Sequence, residues 1–239
     1  MSIEQIIKAV RLCYDEEAQN AADFSSASAD DNTLMNNIIK SKIGDAVRWV
    51  CLYAPAELLG GTDETNTPTG ILIDAELSDD VTSDNGVVLI EGTECLVLTM
   101  PVNFIKLVRV RVLNWHRAVR VPIAEDSDEY LQLHDVNGAT ATIERPQAAL
   151  RDKTTKQIEL WPLPEGDSFE VEVTYVTDPG YAYDSSTSLS TTIAIPPKVK
   201  TAFIYYLAFL TLSAYDDSRA QRMLDIARMN IALTTDTPR

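Results

Sequence analysis

The spacing of apolar residues changes twice along this chain, and that change constrains the fold more than any other feature. Ile3, Ile6, Ile7 and Val10 recur at helical spacing. From about residue 70 to residue 176 the apolar residues form short β-branched runs bounded by turn residues, and helical spacing then returns. The pattern predicts an α+β protein: an N-terminal helical pair and a long C-terminal helix packed with an antiparallel β-sheet or small barrel.

Two helices are expected at the N-terminus. Ser2 followed by Gln5 is a capping-box pattern ahead of a first helix over about Ile3–Ala18. A second, antiparallel helix is expected to begin with Asp31 or Asn32 as its N-cap. The apolar face of this second helix is predicted to contain Leu34, Ile38, Val47, Val50 and Cys51.

The middle of the chain is predicted to be β-rich. Within this β-rich region, Asp126 and Glu129 have the spacing of the acidic form of a capping box. This motif predicts a short helix over about Ser127–Leu133. Phe169–Val176 alternates apolar with polar residues, as expected for a strand with one buried face. The predicted strands lie in the segments ILIDAEL, GVVLIEG, ECLVLTMP, FIKLVRVRVL, QIELWPLP and SFEVEVTYV.

One of these strands is strongly basic. In FIKLVRVRVL, Val108, Val110 and Val112 alternate with Arg109 and Arg111, which predicts valines on one face and arginines on the other. The stretch Pro101–Arg120 contains no acid, and its cations are Lys106, Arg109, Arg111, Arg117 and Arg120. Three interpretations stay open: a solvated edge strand, a nucleic-acid contact, or a contact with a partner or a neighbouring copy.

The charge distribution favours the third interpretation. The net charge is −16, and residues 1–100 hold 18 of the 36 acidic side chains but only five of the 20 basic ones. So negative a chain is poorly suited to tight duplex binding or to an acidic membrane surface. If copies of the chain lie side by side, the basic strand of one copy can face the acidic half of the next, in a head-to-tail contact that forms a ring when it closes.

The C-terminal helical region, from about Pro197 to Leu233, has two parts. Val199–Leu212 is apolar on nearly every side, which predicts a buried helix, and the apolar run Thr201–Ala214 is shorter than the roughly 20 residues of a membrane span. From Ser218 onward the apolar residues form a single stripe. That stripe contains Ala220, Met223, Leu224, Ala227 and Ile231, with Arg219, Arg222 and Arg228 outside it.

The sequence contains no recognisable catalytic, metal or cofactor motif. His116 and His134 are not in a zinc spacing, and the glycines form no phosphate-binding loop. Cys13, Cys51 and Cys95 are embedded in apolar sequence and are interpreted as buried reduced thiols. We therefore expect no metal, no cofactor, no secretory signal and no enzymatic activity, although a hydrolase that uses two of the many carboxylates is an open alternative.

The order of these features resembles a known family. The segment LTMPVNFIKLVRVRVLNWHRAV combines a Pro, an aromatic residue and a hydrophobic–basic strand that ends in an Asn–Trp pair. AEDSDEYLQL and PPKVKTAFIYYLAFLTLSAYDD, with its trailing Ala/Arg helix, add to the likeness, which covers about Leu98–Leu133 and Pro196–Ile231. In these features the chain is similar to the head-to-tail adaptor, or connector ring, proteins of tailed bacteriophages, particularly podovirus-like phages that include the crAss-like phages.

The resemblance implies a structural virion protein of the head–tail neck, synthesised in the bacterial cytoplasm. It implies a ring, typically dodecameric, that binds the portal protein on one side and tail proteins on the other and lets DNA pass through its lumen. The five cations of Pro101–Arg120 become candidate contacts between subunits or with partners. The candidate portal-facing residues of the C-terminal region are Tyr215, Arg219, Arg222, Met223 and Arg228.

Three regions are expected along the chain: N-terminal helices over 1–60, a β-rich middle over 61–195, and a C-terminal helical region over 196–239 that completes the bundle. The alternative to a ring protein is a monomeric or small-oligomer tail-associated module that binds a partner or the host. Ring formation distinguishes the two functions.

Overall fold

The structure is a computed structural model, and it describes residues 1–14, 29–62, 66–78, 85–92, 94–135, 141–152, 156–163, 165 and 169–232. The chain divides into two compact units. We call Met1–Ile71 together with Asp178–Arg239 the helical unit, and Leu72–Thr177 the sheet unit. Helices and antiparallel strands are both present, which confirms the α+β fold.

The N-terminal helices of the helical unit form where apolar spacing predicts them. Ser2 and Gln5 form the expected reciprocal capping box, with N–O distances of 2.9 and 3.2 Å. The second helix, however, begins at Ala29, so the prediction that Asp31 or Asn32 caps it is wrong. Acidic side chains are favourable both at the N-cap and inside the first turn, so local sequence does not distinguish the two positions. Its bounds and those of its neighbours are α1 Ile3–Tyr14, α2 Ala29–Tyr53 and α3 Ala56–Leu59.

The buried face of α2 differs in part from the predicted one. Val47, Val50 and Cys51 are buried as expected, whereas Leu34 is 55% exposed. Ile39 and Ile43 are fully buried and extend the face toward the middle of the helix. The extension of α1 beyond Tyr14, predicted to Ala18, lies outside the described residues.

The C-terminal region is helical as predicted, but it forms two helices instead of one. A turn in which Asp216 adopts a φ of 54° separates them, and the two helices pack against each other. The first of the two also packs against α1 and α2, where Trp49 and Tyr206 stack with ring centroids 4.1 Å apart. The elements are a 3₁₀ turn at Pro197–Val199, α5 at Lys200–Ser213 and α6 at Ala220–Ala232.

The Ser/Thr-rich segment that precedes α5 is tied to the N-terminal helices. Ile3 and Glu4 donate backbone hydrogen bonds to Thr191 and Leu189, at 2.9 and 3.0 Å. The buried ammonium of Lys40 donates to the backbone carbonyls of residues 185 and 187. A Cβ on Gly44 would lie 2.1 Å from the carbonyl oxygen of residue 181, so glycine is needed where this segment crosses α2. The segment is therefore a built part of the helical unit.

The sheet unit contains two antiparallel sheets. One has the strand order β1-β7-β4 and the other the order β2-β3-β6-β5. No closed barrel forms in the described part of the chain. Of the two predicted forms, an antiparallel sheet or a small barrel, the structure has the open sheet. The strands are β1 Leu72–Ser78, β2 Val88–Glu91, β3 Leu96–Thr99, β4 Phe104–Val112, β5 Gln147–Asp152, β6 Gln157–Trp161 and β7 Glu170–Thr177, and the helix is α4 Asp128–His134.

Three details of the sheet unit differ from the sequence-based expectation. The strand β5 was not predicted, since its sequence QAALRD has no β-branched residue. Register shifts in β4 leave Leu107 buried and Val108 only half-buried, so the predicted valine face holds at Val110 and Val112 alone. The cap of α4 is Ser127, whose Oγ accepts a hydrogen bond from the Tyr130 amide at 3.2 Å, instead of Asp126.

Candidate interaction surface

The predicted cations lie on or beside one edge strand of the three-stranded sheet. Lys106, Arg109 and Arg111 are in β4. Arg117 and Arg120 are exposed and follow in a segment that returns beside β4, where the backbones of Val110 and Val119 exchange two hydrogen bonds of 2.8 Å. The structure therefore brings all five cations to the β4 edge of this sheet or to the segment beside it.

Several of these cations also have partners within the chain. The Arg109 guanidinium is 44% exposed and lies 3.5 Å from the carboxylate of Glu172 on β7. The Nε atom of Arg111 donates to the carbonyl of Trp115 at 3.4 Å, and that of Arg117 to the carbonyl of Glu144 at 2.6 Å. The fold thus positions these three arginines through contacts within the chain.

The opposite edge strand, β1, is acidic, and the strand register aligns its acids with the cations. Asp74 lies opposite Thr174, which lies opposite Arg109. Two residues further along, Glu76 lies opposite Glu172, which lies opposite Arg111. Residues directly opposite each other share one face of a sheet. We call these two lines of side chains the charged rows.

The charged rows lie on the outer face of the sheet. The alternate positions, among them Val110 and Val173, are buried in the core of the sheet unit. Thr174 donates its hydroxyl hydrogen to the Asp74 carboxylate, which orients that acid at the sheet edge. A shallow depression of about 510 Å³ lies over the rows, lined by Asp74, Glu76, Arg109 and Glu172 among others. Each row runs from an acid on β1 to an arginine on β4.

The C-terminal candidates lie on α6 and the turn before it. Tyr215, Arg219, Arg222 and Arg228 are exposed. Met223, by contrast, is 4% exposed and belongs to the buried stripe, so it is not available as a surface contact. The Arg219 guanidinium donates hydrogen bonds to Asp217, and chiefly for this reason the pKa of Asp217 is lowered to about 2. Apart from Met223, the candidates are therefore exposed on the helical unit.

A polar cluster around one buried carboxylate in the sheet unit was missed by the sequence reasoning. Glu159 on β6 is 3% exposed, and its carboxylate lies 2.9 Å from His134 Nε2, 3.2 Å from Trp161 Nε1 and 3.6 Å from Arg151 Nε. Burial, with the nearby Glu159 charge, raises the pKa of the Cys95 thiol to about 11. The alternation of β6 indicated a strand, but nothing in the sequence indicated that His134 of α4 would meet it.

These groups do not form a metal site. Among the described residues, no cluster of three or more His, Cys, Asp or Glu side chains is arranged to hold a metal ion. The raised pKa of Cys95 keeps the thiol protonated, and protonated thiols are poor nucleophiles. The cluster is best explained as the anchor of α4, which buries none of its own residues and contacts the sheet through His134.

Comparison with known families decides the class of the protein. The family model described as SU10 adaptor protein matches residues 1–238. The chain belongs to the SU10 adaptor protein family. A comparison with curated proteins found no match.

Membership in the SU10 adaptor family supports a phage adaptor with a structural role and makes the protein a virion component. It agrees with the adaptor class that the sequence resembles, and the podovirus-like and crAss-like placement stays a prediction. An adaptor family is a structural family and not one of enzymes. Within the described residues, no helix combines the length and apolar character needed to cross a membrane.

Proposed function

We propose that this protein assembles into a ring, dodecameric in the expected case, that joins the portal of a phage head to its tail and lets the genome pass. The observation that carries the proposal is the family match over residues 1–238. The charged rows support it, because they offer both halves of an electrostatic contact on one chain.

The acidic composition suits passage of DNA through such a ring. A net charge of −16 makes attraction to phosphate weak, and a negatively charged lumen would repel the duplex and let it slide. The contact with DNA in this proposal is transient and independent of base sequence.

Two surfaces are proposed as contacts. The cations Lys106, Arg109, Arg111, Arg117 and Arg120 contact a neighbouring subunit or a tail protein, and Tyr215, Arg219, Arg222 and Arg228 face the portal. We leave Met223 out of the portal-facing set because its side chain is buried. A chain truncated after Tyr215 should lose portal binding, and a truncated chain that still co-purifies with portal protein would contradict this assignment.

The function is tested by the mass of the assembled protein. We expect light scattering at low salt to give a species many times the 26.4 kDa chain, and negative-stain images to show closed rings, with or without added portal protein. High salt should dissociate the rings if charge pairs hold them, because salt screens exposed charges. A chain that stays monomeric even with portal protein would instead favour the tail-associated or host-binding module.

We further propose that the virus is a podovirus-like phage, of the kind that includes the crAss-like phages. The support is the segment Leu98–Leu133, which carries the Pro, aromatic and basic-strand pattern of those connector proteins. Localisation of the protein to the neck of a short-tailed virion, by immunogold labelling or reconstruction, would test this placement.

A further inference from the structure

The two edges of the three-stranded sheet carry opposite charge. β1 contributes Asp74 and Glu76 at one edge, and β4 contributes Arg109 and Arg111 at the other. Both charged rows run in the same direction, from acid on β1 to arginine on β4. Among the described strands of this sheet, β1 and β4 each pair with β7 alone, so each has one edge without a strand of the sheet beside it.

This arrangement discriminates between ways in which two copies can meet through these edges. A symmetric contact of β1 with β1 would place acids against acids, and one of β4 with β4 would place arginines against arginines. Like charges brought together at an interface are strongly unfavourable. Only the head-to-tail contact, β4 of one copy beside β1 of the next, brings opposite charges together in both rows.

We propose that a second copy of this chain docks head to tail, with Arg109 and Arg111 of one copy facing Asp74 and Glu76 of the next. The inference rests on the proposed ring function and identifies the acidic partner of the basic strand. The contact is made by side chains and not by a continued strand ladder, because Val119 already occupies backbone groups of Val110 at the β4 edge.

The internal pair of Arg109 and Glu172 is compatible with this contact. The two groups are 3.5 Å apart, the guanidinium remains 44% exposed, and guanidinium has five N–H donors. Glu172 therefore holds Arg109 in place while leaving donors for a second carboxylate. Pre-positioning of this kind lowers the entropy that a long side chain loses on binding.

The test uses charge reversal and complementation. The acid-row variant is Asp74→Lys with Glu76→Lys, and the base-row variant is Arg109→Glu with Arg111→Glu. Each variant alone places like charges against each other in the head-to-tail contact, so its association should weaken by about tenfold or more. Mixed in equal amounts, the two variants should assemble in alternation, because every contact is then between opposite charges.

Matched controls reverse the same number of exposed charges elsewhere. Arg48→Glu with Lys198→Glu controls for the base-row variant, and Glu91→Lys with Glu125→Lys for the acid-row variant; all four positions are exposed. Light scattering and negative-stain images of each sample, at matched salt, give the assembly state. Circular dichroism checks that each variant is folded.

The outcomes separate this inference from the ring function. Failure of each variant alone with recovery in the mixture supports the head-to-tail contact. If the wild type forms rings and the variants also do so alone, or if the mixture fails to recover, the contact is wrong and the ring stands. If the wild type forms no ring, with or without portal protein, the proposed function and this inference both fall.

A base-row variant that does not fold is replaced by a milder one. Arg109→Gln with Arg111→Gln removes the charges without placing new acids beside Glu172. We expect this variant to associate about tenfold more weakly than the wild type and with a smaller dependence on salt. Association equal to that of the wild type at every salt concentration would overturn the inference.

Discussion

Glu159 is a charged residue buried in the sheet unit, and three nitrogen-bearing side chains converge on it. His134 comes from α4, Trp161 from the same strand and Arg151 from β5. A buried carboxylate is tolerated only where such partners replace its water. Through this one residue the short helix α4 is tied to the four-stranded sheet.

The first prediction concerns this cluster. Glu159→Ala should lower the free energy of unfolding by about 1–3 kcal/mol, because His134, Trp161 and Arg151 lose the carboxylate that they contact. Glu159→Gln should cost less, since the amide oxygen can still accept one of these hydrogen bonds. Urea unfolding followed by tryptophan fluorescence measures both. Equal losses for the two variants would show that the carboxylate charge, and not hydrogen bonding, is what matters.

The second prediction concerns the pH dependence of thiol reactivity. Burial raises the pKa of Cys95 to about 11, so at pH 8 only about one thiol in a thousand is ionised. Labelling of native Cys95 should therefore be slow at pH 8 and rise as the pH approaches 11. Cys13 is only partly buried and should react sooner. The measurement is iodoacetamide labelling, with the labelled cysteines located by peptide mass spectrometry. Rapid labelling of Cys95 at pH 7 would contradict the raised pKa of its thiol.

Among the elements, α4 shows how little a short helix needs in order to form at a defined place. It buries none of its residues, so its N-cap and the contacts of His134 with Glu159 and Trp161 hold it in place. Short helices are marginal without such support. The sequence predicted the element correctly and assigned its cap to the wrong neighbour.

The third prediction tests that cap. Ser127→Ala removes the hydroxyl oxygen that accepts a hydrogen bond from the Tyr130 amide. The substitution should lower the local stability of α4 by about 1 kcal/mol. Asp126→Ala, one residue earlier, is the matched control and should change the protection of this amide little. Hydrogen exchange at Tyr130 reports the local opening. If Asp126→Ala lowers the protection of the Tyr130 amide more than Ser127→Ala does, Asp126 and not Ser127 is the cap.

For the molecule as a whole, the sheet unit is one continuous segment with its own core. The buried cluster of this unit includes Trp115, Tyr175 and Leu98, and all its members lie within Leu72–Thr177. The helical unit is assembled instead from both ends of the chain, because α5 packs on α1 and α2. The three-part division into 1–60, 61–195 and 196–239 stays a prediction.

The fourth prediction compares the two sets of boundaries. The fragment Leu72–Thr177 should fold alone, because a segment of this size with its own core meets the usual conditions for a domain. The fragment 61–195 should contain the same fold with a protease-sensitive C-terminal extension, since residues 185–191 have their hydrogen-bond partners on α1 and α2. NMR dispersion and limited proteolysis test both. An unfolded Leu72–Thr177 fragment would show that its core needs the helical unit.

Much of the fold was determined by local sequence. The capping box of α1, six of the seven strands and the apolar character of α5 follow from spacing and residue type, which act over a few residues. The strand β5 and the turn between α5 and α6 were not predicted, because QAALRD lacks β-branched residues and Asp216 gives no clear signal for a left-handed backbone.

The basic strand itself was also evident from sequence, since alternation within one strand separates its two faces. What the tertiary structure alone decided is which groups those cations meet. Glu172 lies 63 positions from Arg109, and Thr174 lies 100 positions from its partner Asp74. Strand order and register set such pairings, and they depend on how distant segments pack, whereas periodicity reports only the neighbours of each residue along the chain.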